Sequence, residues 1–137
     1  MATLQDLMVD KEKMEKGVWK DFVPFYGVSV RLLIASSNNP EYIKEVGKLI
    51  RENLKAIRGD NTGKVEQESI KPAVARYLLL GWEGIDDDKG SPIPYSYDAA
   101  LSILGTPELY HLYDYVRIQA EITANFRKKD FEDAVKN

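Results

Sequence analysis

"GVWKDFVPFYGVSVRLLIA", residues 17–35, decides the fold. Val28, Val30, Leu32 and Ile34 alternate with Ser29, Arg31 and Leu33, the two-residue period of a half-buried strand. The stretch before them is rich in β-branched and aromatic residues, which suit a pleated surface. Pro24 and Gly27 punctuate it. The reading is two antiparallel strands, about 17–23 and 28–35, joined by a turn at "PFYG". A lone hairpin is marginal in water, so this one must pack on helices or on another chain.

Outward from the hairpin the chain turns helical. Residues 1–16 are charged and are expected to be a mobile N-terminal segment with a short, fraying helix. After the hairpin, Asn39 is a good N-cap and Pro40 sits at the first helical position. Tyr42, Val46, Leu49, Ile50, Asn53, Leu54 and Ile57 then fall on one helical face. "VEQESIKPAVARYLLLGWEG" reads as a second helix that begins in earnest near Pro72. Ser96 caps a short helix over 97–104, stopped by Gly105, and Thr106-Pro107-Glu108 restarts the chain into a last helix over about 107–128. The expectation is one domain, 1–137, with the hairpin at 17–35, a helical part at 40–128 and a mobile tail at 129–137. Its class is α+β, mainly α: an N-terminal β-hairpin followed by about four helices.

The last helix carries two apolar faces. At about 100° per residue, Leu109, Leu112, Tyr113, Val116 and Ala120 cluster on one side, and Tyr115, Ile118, Ile122 and Phe126 on another nearly opposite. Such a helix is either sandwiched in the core or buries one face and offers the other to a partner.

Composition narrows the chemistry. Net charge is −3, from 19 basic and 22 acidic residues, which gives no general attraction to a polyanion. Apolar residues are 44% and charged residues 30%, as in globular chains. Cysteine is absent, so disulfides, thiolate metal sites and cysteine nucleophiles are excluded. No apolar run approaches the ~20 residues of a membrane span, and the first residues lack the apolar core expected of a signal peptide.

The motifs with chemical overtones fail on spacing. "IDDDKGSP" invites calcium, but no register puts glycine sixth after an acidic first ligand. "GDNTGKV" has three residues between its glycines and Val65 after its lysine, so it is no phosphate loop. His111 is the only histidine, with no nucleophile elbow to serve. A helix-turn-helix is unsupported, because the gap from Trp82 to Ser96 is too long for its tight turn and a basic stripe is missing. Catalytic residues, cofactors and metals are therefore expected to be none.

In order, "EKGVWKDF", "IASSNNPEYIKEVGKLIR", "LLLGWEGIDDDKGSPIPYSYDAALSIL" and "PELYHLYDYVRIQAEITANFRKK" resemble the tail assembly chaperones of long-tailed bacteriophages and prophages, counterparts of the lambda G protein. The resemblance covers about 12–137, and its most specific part is Trp82-Glu83-Gly84-Ile85 followed by Asp88, Gly90 and Pro92-Ile93-Pro94-Tyr95. It implies a non-enzymatic protein of the bacterial host cytoplasm, absent from the mature virion. Such chaperones bind the tape-measure protein, keep it soluble and help recruit tail tube subunits, in many members through a frameshifted extension. Neither nucleic acid nor membrane is an implied partner, and self-association is compatible with coating a long client. A head–tail connector or minor tail structural protein is the alternative. A small metal-binding or nucleic-acid-binding protein has the least support. The family supplies no site residues. From the residues themselves, the expected partner surface is Tyr115, Ile118, Ile122 and Phe126, with Tyr95 from a strap formed by Pro92-Ile93-Pro94-Tyr95.

Overall fold

The computed structural model describes residues 1–129. Two short helices come first, α1 (Leu4–Leu7) and α2 (Lys11–Lys16). The hairpin follows as β1 (Val18–Phe25) and β2 (Val28–Ile34). Then come α3 (Pro40–Glu52), α4 (Leu54–Arg58), α5 (Lys64–Ser69) and α6 (Lys71–Ala73), which runs into a π-helical turn at Val74–Leu78. A third strand, β3 (Leu79–Glu83), precedes α7 (Tyr97–Leu104) and α8 (Tyr110–Glu121). Single 3₁₀ turns, Pro107–Leu109 and Thr123–Phe126, flank α8.

The expected class is overturned. The fold is a mixed α+β domain built on a three-stranded antiparallel sheet in the order β1-β2-β3, not a mainly helical one with a lone hairpin. Nor is the hairpin N-terminal, since α1 and α2 precede it. The decisive difference lies in "LLLGWEG", expected as helix. Leu78-Leu79-Leu80 is a short apolar run, which fits a buried strand as well as a buried helix. The open edge of β2 settles the matter. Leu32 pairs with Trp82 and Leu33 with Gly81, and the Ala35 N–H donates to the Leu78 carbonyl at 2.9 Å. A third strand supplies what a two-stranded hairpin lacks.

The helices cover one face of this sheet. Leu32 and Ile34 of β2 and Trp82 of β3 join Leu78, Ala100 and Leu104, and Leu112, Tyr113, Val116 and Ala120 of α8, in one core. On the uncovered face Arg31 bridges two cross-strand neighbours, Asp21 at 3.6 Å and Glu83 at 3.2 Å, and its guanidinium lies 5.0 Å from the Trp19 ring centre. These pairs are exposed, and worth little beyond register.

Residues 1–16 make backbone hydrogen bonds to the body of the domain. Ser36 N–H donates to the Met14 carbonyl, Asp10 N–H to that of Phe126 and Lys128 N–H to that of Met8, at 2.9, 2.7 and 2.9 Å. Gly17 makes the corner into β1 at φ +88°, a conformation that favours glycine, and a Cβ there would sit 3.1 Å from Leu33 Cγ and 3.2 Å from the Ile34 carbonyl oxygen. Of the expected tail at 129–137, all but Lys129 lies outside the described residues. Lys129 itself pairs with Asp6 at 3.1 Å.

Local signals place α3 and α7. The Asn39 side chain accepts from Glu41 N–H at 3.1 Å and that of Ser96 from Ala99 N–H at 3.0 Å. The "GDNTGK" stretch is organised by Asp60, whose carboxylate accepts from Val65 N–H at 3.0 Å, Thr62 Oγ1 at 2.7 Å and Thr62 N–H at 3.1 Å. These bonds, the Val65 N–H foremost, lower its pKa from 3.8 to about 2. Because the folded value lies below the unfolded one, the turn's contribution is complete above pH ~4 and fades as pH falls toward 2. NMR titration should show the Asp60 carboxyl moving near pH 2, and Thr62→Ala should return it toward 3.8. An Asp60 that titrates at its ordinary value in the wild type would refute this account of the turn.

Candidate functional site

The structure places the expected partner residues in different settings. The helix was expected to run to 128, yet α8 ends at Glu121. Ile122 turns extended, and the Asn125 amide donates to both the carbonyl and the side-chain oxygen of Gln119 at 2.9 Å, closing the helix end. Phe126 is thereby carried inward and is only 2% exposed. The Tyr115 hydroxyl donates to the Asp21 carbonyl at 2.7 Å and its ring stacks on Phe22 at 4.7 Å, so it is spent on holding β1. Ile118 and Ile122 stay open, 55% and 38% exposed. Tyr95 is partly open, but its hydroxyl donates to the Leu79 carbonyl at 2.6 Å, and burial raises its pKa while Arg76 partly offsets the rise.

Another surface is built where the sequence analysis placed no site. At the hairpin tip, Val23, Phe25, Tyr26 and Val28 are all exposed, Phe25 by 62%. Of these, Phe25 and Val28 also line a cleft of about 460 Å³ between the hairpin, the 85–93 turn, Ile103 of α7 and the start of α8. Phe22, Phe25, Val30, Ile85, Ile93 and Leu109 give it apolar walls. His111 lies within its lining, its ring 5.9 Å from Phe22, 5.7 Å from Phe25 and 5.4 Å from Tyr110. Its ring is packed among three aromatic side chains.

The aspartate run forms one rim. Ile93 N–H donates to the Ile85 carbonyl at 2.9 Å and Asp87 N–H to that of Ser91 at 2.8 Å, a miniature hairpin turned at Gly90 with φ +82°. Asp87 organises the turn by accepting from Lys89 N–H at 2.8 Å and Ser91 N–H at 3.0 Å. Asp86 and Asp88 line the cleft instead, and neither is ion-paired among the described residues. Among the described residues no three His, Cys, Asp or Glu side chains group to hold a metal ion, and no helix is long and apolar enough to cross a membrane.

The strap is fixed to β3 and so holds the Ile93 wall of the cleft. Trp82 donates its indole N–H to the Ile93 carbonyl at 2.8 Å, and its ring meets Tyr95 edge-on at 4.9 Å. The one sequence signal for the cleft was a turn too apolar to be only a turn: Val23, Phe25, Tyr26 and Val28 around Gly27.

Fold and cleft together define a small α+β domain whose distinctive surface is apolar, with an acidic rim. The chain belongs to the YdaY prophage protein family, whose model matches residues 37–137. No curated protein and no solved structure matches it. The matched segment contains the 85–93 turn, α7 and α8, all of which line the cleft, and the hairpin supplies the remaining wall.

Proposed function

We propose that this prophage protein is a tail assembly chaperone. It binds the tape-measure protein reversibly in the host cytoplasm, keeps it soluble while tail tube subunits are recruited, and leaves before the virion is complete. It does so without catalysis or cofactor. The observation that carries the reading is the exposed apolar hairpin tip above its cleft. A holdase needs apolar surface that it can lend and take back, set in a body charged enough to stay soluble. The prophage family and the resemblance of the sequence to tail assembly chaperones supply the setting.

The test is co-expression with the tape-measure protein of the same prophage. Wild type keeps that protein soluble and co-purifies with it. Val28→Asp, at the rim of the cleft, weakens the complex about tenfold or more, whereas Ile118→Asp on α8 leaves it within about twofold. Circular dichroism confirms that both variants are folded. A wild-type chain that neither solubilises nor binds the tape measure, or that is found in purified particles, would overturn the proposal.

A further inference from the structure

We infer that the hairpin-tip cleft takes one face of an amphipathic helix whose lysines or arginines face Asp86 and Asp88. This deepens the chaperone reading and rests on it for the identity of the partner. The chemistry of the occupant follows from the cleft itself.

An apolar recognition surface beside a sheet can act in two ways, by adding a strand or by receiving a helix face. Strand addition is obstructed at both edges. Along β1, Pro24 has no N–H to offer, and the Asp21 carbonyl already accepts from Tyr115. Along β3, the Leu79 carbonyl already accepts from the Tyr95 hydroxyl of the strap. The cleft instead presents side-chain walls, which suit apolar residues spaced along a helix. Its volume, about 460 Å³, falls within the range of formed binding sites.

Charge selects the helix. Asp87 is used by its own turn, while Asp86 and Asp88 line the cleft unpaired among the described residues. No lysine or arginine is among the lining residues. A basic occupant places opposite charges together at the edge of an apolar contact, and an acidic one places like charges there.

Two fluorescein-labelled helical peptides test this, one with leucines and lysines and one with the same leucines and glutamates, titrated by anisotropy against the full chain. The lysine peptide binds about tenfold tighter at low salt. Asp86→Asn with Asp88→Asn removes that preference, and Glu52→Gln with Glu66→Gln, outside the cleft, does not. Val28→Asp abolishes binding of both peptides. Equal affinities, or a preference that survives loss of Asp86 and Asp88, would overturn the inference. So would Val28-dependent self-association that the lysine peptide cannot displace, since the occupant would then be a second copy. A chain that solubilises the tape measure without any charge preference loses this inference and keeps the chaperone reading. One with the preference that fails to solubilise the tape measure does the reverse.

Discussion

Trp82→Ala lowers folding stability by about 3–5 kcal/mol and frees the strap that carries the Ile93 wall of the cleft. Trp82 is 8% exposed and sits opposite Leu32 in the sheet. Its indole N–H reaches the Ile93 carbonyl at 2.8 Å, and in return the Tyr95 hydroxyl reaches the Leu79 carbonyl at 2.6 Å. Strand and strap are therefore cross-linked twice, each through a side chain of one and a backbone oxygen of the other. Truncation leaves a cavity under the strap and strands the Ile93 carbonyl. Trp82→Phe keeps most of the apolar area and loses the hydrogen bond, which predicts a smaller cost of about 1–2 kcal/mol. Urea unfolding followed by circular dichroism measures both. Because Ile85 and Ile93 line the cleft, Trp82→Ala should also weaken binding there while the domain is still folded. A loss below about 1 kcal/mol would mean that the strap does not depend on this anchor.

What the sequence made legible was local. Asn39 and Pro40 start α3, and Ser96 and Gly105 bound α7, because caps act within one turn. The alternation in β2 was equally plain, since it needs only its own residues. β3 was not, because Leu78-Leu79-Leu80 carries no period and its state depends on an edge of β2 nearly fifty residues away in sequence. The end of α8 failed for a related reason. Spacing alone continues the helix to Phe126, whereas a side chain four residues past its end, Asn125, closes it. The cleft draws its walls from four separate segments, so no single window could reveal it. A helix continued to 128 puts Phe126 on its outer face, whereas the fold buries it.

Phe126 therefore yields the sharpest contrast between the two pictures. On a helix that ran to 128 it would face outward beside Ile122, and Phe126→Ala would change stability by no more than about 0.5 kcal/mol. In the fold it is 2% exposed, shares a small cavity lining with Val9 and Met14, and its carbonyl accepts from Asp10 N–H at 2.7 Å. Phe126→Ala should then cost about 3–5 kcal/mol, as for other buried aromatics. Ile118→Ala, at 55% exposure on α8, serves as the control and should stay within about 0.5 kcal/mol. The loss should be felt first where residues 1–16 are docked, since Phe126 and its neighbours hold Asp10 and Met8 by backbone hydrogen bonds. Native-state hydrogen exchange should show the amides of Asp10 and Lys128 losing protection in Phe126→Ala before those of β2 do. Equal, small effects of the two alanine variants would return Phe126 to the surface and reopen the outer face of the last helix as the place where a partner binds.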